Sequence, residues 1–293
     1  KETIYTCYVT DKRKLIGIVS AKDLMTTDDG ILISELMETE IISVRTYTDK
    51  EEVAQLFRKY DLLALPVLDK DGLMVGIVTF DDAMDVMVEE ATEDITKMAA
   101  INPSEKTYFN TSTFAHAKNR IPWLLILMLT SIITGTIITK YEDAFAAIPL
   151  LVSFIPMLMD TGGNCGSQSS TLVIRGLALS EIHFKDIFKV IWKEFRVGVL
   201  CGITLAAVNF VKIWFVDRTL LGMSAITIQV DLVISLTLII EIIFAKMVGC
   251  VFPILAKKMK LDPAVISSPF ITTVMDALSL LIYFWLATMI LHI

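Results

Sequence analysis

Cysteine and histidine are scarce and scattered. The 293 residues hold four cysteines, Cys7, Cys165, Cys201 and Cys250, and three histidines, His116, His183 and His292. None stands at the short spacing of a zinc or redox motif, so no such centre can be built locally and the cysteines read as small buried thiols. A surplus of positive charge is also missing. The formal net charge is −7, which argues against a nucleic-acid partner because the chain would repel phosphate. No signal-peptide pattern opens the chain.

Charge is also unevenly spread. Residues 1–117 hold 12 Lys/Arg against 22 Asp/Glu, and residues 118–293 hold 14 against 11. Overall 54% of residues are apolar and 20% charged, where soluble domains average about 45–50% and about 25%. The composition averages two objects, an acidic soluble part and an apolar part. That excludes both a single soluble globule and disorder.

The acidic part repeats itself. GIVSAKDLM (Gly17 to Met25) recurs as GIVTFDDAM (Gly76 to Met84), 59 residues on, each copy preceded by a strand and a charged turn. Asp49 to Tyr60 has Val53, Leu56 and Phe57 on one face and predicts a helix. The unit resembles a tandem pair of cystathionine-β-synthase (CBS) domains. That resemblance implies dimerisation and adenine-nucleotide (ATP) contacts at Ser20 with Asp23 and at Thr79 with Asp82. A Ser/Thr three residues before an acid is equally a helix cap, and the two readings stand level. Asp81 to Thr96 then carries seven carboxylates and no Lys or Arg. Asp82, Asp85, Glu89 and Glu93 form one stripe, which a divalent cation would stabilise; a solvated acidic face is the simpler reading.

Five stretches of the second part are long enough to cross a bilayer, which takes about 20 apolar residues. They lie at 121–139, 144–174, 197–216, 229–256 and 263–293. Lys118, Arg120, Arg175, Lys185, Lys189, Lys193, Arg196, Lys257, Lys258 and Lys260 collect on one side, against Lys140, Lys212 and Arg218 on the other. The soluble part is therefore expected in the cytoplasm and the C-terminus outside, in a multi-pass plasma-membrane protein. Glu181 to Arg196 predicts a basic, aromatic helix lying in the interface.

The second stretch, as one helix, would be about 47 Å long, against a hydrocarbon core of about 30 Å. It carries Pro149, Pro156 and DTGGNCGSQSS, and is expected to break or loosen at Gly162, Gly163 and Gly166, with Asp160, Thr161, Asn164, Ser167 and Gln168 facing a pathway. A close-packed seam of small residues is the alternative. In the fifth stretch Asp276 is the sole Asp, Glu, Lys, Arg or His between Asp262 and His292. A lone charge there costs at least about 2.5–3.5 kcal/mol, so it must be protonated, paired or bound to a cation. Glu241 shares the problem, with Lys246 on the same stretch as partial compensation.

IPMLMDTGGNCGSQSSTLVIRGLALSEI (Ile155 to Ile182) and DPAVISSPFITTVMDALSLLIYF (Asp262 to Phe284), behind the CBS repeat, resemble the MgtE family of magnesium channels. The resemblance implies an α/β tandem CBS pair, a long connecting helix and an all-α bundle of five transmembrane helices. The expected boundaries are 1–33 for the end of a first CBS unit, 34–91 for the second, 92–118 for the connecting helix and 119–293 for the pore domain. It implies a homodimer in the bilayer with the pore on its axis, Asp276 and the carbonyl of Thr272 as pore ligands, and Asp160 and Asn164 nearby. It also implies a cytoplasmic Mg²⁺ sensor at Asp49, Glu51, Asp61, Asp82, Asp85, Glu90, Glu93 and Asp94, closing the pore through the connector. Such proteins are expected to carry a preceding acidic helical domain, so the resemblance implies an N-terminally truncated form. The function implied is Mg²⁺-selective import, not catalysis. The rivals are a Na⁺- or H⁺-coupled divalent-cation carrier and a membrane enzyme using Asp160 and Asp276 as paired acids.

Overall fold

The structure, a computed structural model, describes residues 5–104, 106–220, 222, 226–266 and 268–292, and only the backbone of 143–145. The chain divides into two compact units, Lys1–Glu93 and Asp94–Ile293.

In the first unit β1 (Thr6–Asp11) and β2 (Lys14–Ser20) form an antiparallel hairpin. Its two-residue turn puts both Lys12 and Arg13 at positive φ, the geometry that matches strand twist. Two short helices follow, α1 (Ala21–Thr26) and α2 (Ile33–Leu36), before a second sheet of β3 (Val44–Arg45), β4 (Ala64–Leu68) and β5 (Met74–Thr79). β3 runs parallel to β4 and β5 antiparallel to it. The crossover from β3 to β4 is α3 (Lys50–Tyr60), begun by the Asp49 cap and stopped by Asp61 in the left-handed region. Phe57, Leu65, Val44 and Ala83 close the core between α3, the sheet and α4 (Phe80–Met98). The 59-residue repeat is thus β2–α1 and β5–α4.

Residues 92–118, expected as one connecting helix, are three pieces. α4 ends at Met98, Ala100 turns to positive φ, and α5 (Thr113–Lys140) starts at a Ser112 cap. Asn102 precedes Pro103, which disfavours helical backbone there. Lys97 Nζ meets Asp262 Oδ2 at 2.6 Å, and Trp123 Nε1 donates to Asn102 Oδ1 at 3.1 Å. Lys97 and Asn102, near the start of the connector, thus tie it to the helical bundle.

The bundle comprises α5, the short α6 (Glu142–Ala147), α7 (Ile155–Ala178), α8 (Ile187–Lys212, continued by a wider π turn over Ile213–Leu220), α9 (Ile228–Lys258) and α10 (Ser268–Leu291). Among the described residues four helical segments are long and apolar enough to cross a membrane: Thr113–Lys140, Phe184–Leu220, Ile228–Lys258 and Ser268–Leu291. α7 is the fifth long helix, and its polar residues keep it out of that group. α7, α9 and α10 bury the core, where Leu158, Ile234, Leu238, Ile242, Ile271 and Tyr283 are all at most 2% exposed. α5 buries none of its residues.

Two local expectations fail. The expected break at Gly162, Gly163 and Gly166 is absent, because α7 is continuous through them. The interruption lies earlier, in a 3₁₀ stretch at Pro149–Phe154, with Pro156 in the first turn of α7 where its missing N–H costs nothing. The basic aromatic segment is likewise no separate interfacial helix. After a turn at Phe184–Asp186 it runs straight into α8.

Candidate cation pathway

One face of α7 is polar and open. Asp160, Asn164, Gln168 and Thr171 are exposed at spacings of three to four residues, while Leu158, Gly162, Cys165, Gly166, Ser169 and Val173 are buried on the other side. Period-3.6 patterning therefore survives, with glycines and small residues where an ordinary helix would have bulk.

The glycines set the spacing of the helices. A Cβ on Gly163 would lie 2.8 Å from Thr272 Cγ2, and one on Gly162 would lie 2.6 Å from Ser279 Oγ. Across the other neighbour, a Cβ on Gly249 would run into the carbonyl oxygen of Gly166. So α7 meets α9 with backbone close to backbone, and its glycines admit the Thr272 and Ser279 side chains of α10, the seam of small residues that membrane helices use. Ser268 Oγ donates to Ser167 Oγ at 2.8 Å, and Tyr283 Oη donates to the Leu151 carbonyl at 3.0 Å. These contacts fix α7 and α10 antiparallel.

That register brings the sequence candidates to one level. Thr272 lies against Gly163, and Asp276, half-buried, feels the charge of exposed Asp160. Asp160 and Asn164 on α7 thus adjoin Thr272 and Asp276 on α10. α10 is continuous here, so the Thr272 carbonyl already accepts the Asp276 amide and offers only its second lone pair. The Thr272 hydroxyl donates to the Ser268 carbonyl at 3.0 Å.

Among the described residues no group of three or more His, Cys, Asp or Glu side chains is close enough to hold a metal ion. Two carboxylates at one level, open on one side, instead suit a small hard cation that keeps most of its waters.

Behind this face are polar groups whose contacts sequence reasoning missed. Ser169, fully buried, donates to Glu194 Oε2 of α8 at 2.5 Å; an acid at the edge of an apolar stretch was the available signal. Lys246, 4% exposed, reaches Gln168 Oε1 at 3.2 Å rather than Glu241. Glu241 is fully buried beside the Ser279 hydroxyl, which is placed to donate to it.

In the first unit the carboxylates are spread out. Asp49 Oδ1 accepts the Glu51 amide at 2.9 Å, Glu51 accepts from Gln55, and Asp61 ends α3. Glu90 and Glu89 hold Lys50 Nζ at 2.9 and 3.4 Å, which keeps that ammonium above the usual lysine range, Glu90 contributing most. Asp82 and Asp85 are exposed on α4, which continues through Glu93 and Asp94. Ser20 with Asp23 forms a closed cap, the hydroxyl donating to Asp23 Oδ2 at 2.6 Å and accepting the Asp23 amide at 3.0 Å. The Thr79 hydroxyl donates to Asp82 Oδ2 at 2.9 Å. Asp82 also lines a cavity of about 350 Å³ with Val44, Thr46, Thr48, Lys50 and Val67; Ser20 and Asp23 are not on it.

Residues 155–286 match the MgtE family model, described as a divalent cation transporter, and residues 33–89 match that of the CBS domain. The magnesium transporter MgtE of Thermus thermophilus is 38% identical over 99% of this chain, and that of Bacillus subtilis 38% over 98%. The chain spans 63% and 62% of those two proteins' own lengths. Among solved structures, the soluble part of a magnesium transporter is 47% identical over 31% of this chain and 36% of its own, with a TM-score of 0.30. The cytosolic domain of the Mg²⁺ channel MgtE in complex with ATP is 49% identical over 29% of this chain and 35% of its own, with a TM-score of 0.29.

Proposed function

Because the chain belongs to the MgtE family of divalent cation transporters, we propose that it carries Mg²⁺ across a membrane through a channel lined by α7 and α10. The supporting observation is the shared level of Asp160, Asn164, Thr272 and Asp276 on two antiparallel helices held together by glycines. Mg²⁺ dehydrates reluctantly, so a wide polar face with one or two carboxylates suits it better than a closed cage. α7 leaves its polar face open, and a second copy of the chain meeting it there would double the carboxylates around one axis. The homodimer is thus part of the proposal. So is the orientation, with the acidic unit on the side where Lys and Arg collect.

Gating follows from the first unit. At low Mg²⁺ the carboxylates of α4 repel; at high Mg²⁺ bound ions bridge Asp82, Asp85, Glu90, Glu93 and Asp94, with Asp49, Glu51 and Asp61, between copies and close the channel. The cavity at Asp82 and Lys50 has the size and the mixed lining for an adenine nucleotide, with Thr79 close by, and ATP is its proposed ligand. The membrane-enzyme reading is set aside, since the relatives that match nearly the whole chain are transporters.

The test is Mg²⁺ flux in proteoliposomes, wild type against Asp276→Asn, over a range of Mg²⁺ on the side of the acidic unit. Flux is expected to disappear in Asp276→Asn while the folded fraction stays unchanged. Joint neutralisation of Asp82, Asp85, Glu90 and Glu93 is expected to leave flux running at high Mg²⁺. Normal uptake by Asp276→Asn would overturn the pathway. Flux that needs a Na⁺ or H⁺ gradient would favour the coupled carrier instead.

A further inference from the structure

Where α7 turns into α8 and α9 ends, the bundle leaves a cavity of about 180 Å³ lined by Leu177, Ser180, His183, Phe184, Lys257 and Lys258. Its volume is that of about six water molecules in the liquid. Lys257 Nζ donates to the Leu177 carbonyl at 2.8 Å, and Lys258 Nζ sits 4.1 Å from the centre of the Phe184 ring. Each ammonium is thus held in place by a neutral partner and keeps N–H groups to spare. Neither lysine has a carboxylate partner among the described residues, whereas nearby Lys189 pairs with Asp186 at 3.1 Å and His183 lies 3.9 Å from the same carboxylate. Outside the cavity, α8 turns Phe188 (81% exposed) and Trp192 (59% exposed) outward, the aromatic chemistry of a membrane–water boundary.

We propose that this cavity binds the phosphate headgroup of an acidic phospholipid. A concave site with two unneutralised lysines selects an anion. The aromatics beside it and the helix ends around it place that anion at the depth of lipid phosphate, with the acyl chains running down the apolar flank of α8. Basic pockets between membrane helices hold acidic headgroups on this principle, at about 1 kcal/mol per lysine near the surface. The site is separate from the Asp160–Asp276 level, so its test stands whatever the outcome of the flux assay.

The experiment is native mass spectrometry of the full chain in detergent, titrated with dioleoyl phosphatidylglycerol, with dioleoyl phosphatidylcholine and with inorganic phosphate. Phosphatidylglycerol is expected to be retained, phosphatidylcholine lost, and phosphate to compete poorly. Lys258→Gln is expected to weaken retention about fivefold, and Lys258→Arg to restore it. The contact given for Lys258 among the described residues is with the Phe184 ring face, so this variant is expected to keep the fold even if Lys257→Gln, which breaks a helix-end contact, does not. Equal retention of both lipids, full competition by phosphate, or unchanged binding by Lys258→Gln would each overturn the proposal.

Discussion

Gly163→Ala adds a single methyl group where α7 meets α10, and the geometry fixes what it must do. The new Cβ would stand 2.8 Å from Thr272 Cγ2, 3.2 Å from its Oγ1 and 3.3 Å from its Cβ. Carbon atoms rest at about 3.5–4.0 Å, so the helices must part by close to an ångström or the threonine must leave its place. Overpacking of this size costs about 1–3 kcal/mol. Replacing glycine by alanine in a helix otherwise gains about 1 kcal/mol, so the control is Gly135 on α5, whose added Cβ meets nothing within 4 Å. The expected result is that Gly135→Ala raises the thermal midpoint in detergent and Gly163→Ala does not, the gap being the clash alone. Thr272→Ala removes the two outer atoms the methyl strikes. In the double variant the penalty should shrink, with a coupling of about 1 kcal/mol against the roughly 0.3–0.5 kcal/mol scatter of independent sites. Identical behaviour of the two alanine variants, or strict additivity with Thr272→Ala, would refute the close-packed seam.

Two further outcomes follow from contacts described above. Ser169→Ala leaves the Glu194 carboxylate without its donor, and is expected to cost about 1.5–3 kcal/mol in thermal unfolding, with Glu194→Gln in the same background recovering part of it. Lys50→Met frees Glu89 and Glu90, so calorimetry on the intact chain should show tighter Mg²⁺ binding. Lys50 also titrates above the usual range, so its contribution to stability is present below about pH 10 and fades as pH rises through the raised value; that alkaline loss should vanish in Lys50→Met.

Asp276 stands out in the sequence as a candidate because isolation is itself a signal: one charge in a long apolar run has nowhere cheap to be. The repeated β-strand and helix were legible for a similar reason, since two copies of one pattern confirm each other's boundaries. The glycines of α7 were not. In one dimension a glycine that loosens a helix and a glycine that lets a neighbour approach look alike, and only the identity of Thr272, Ser279 and Gly249 across the gap separates them. Ser169 and Glu194 were hidden because their contact joins two helices that no local period relates. The connector is broken for a local reason, since the left-handed Ala100 and Asn102–Pro103 end the helix that begins at Phe80.

The glycine seam also has a mechanical meaning. A packed interface of long side chains can take up a small displacement by changing rotamers, but backbone against backbone has no such slack. At Gly166 and Gly249 a push on α7 is therefore passed directly to α9, while the short Thr272 and Ser279 side chains, with few rotamers to change, tie α10 in. In the proposed channel a local twist of the helix that bears Asp160 and Asn164 is therefore disfavoured, and gating is expected to move the three helices together.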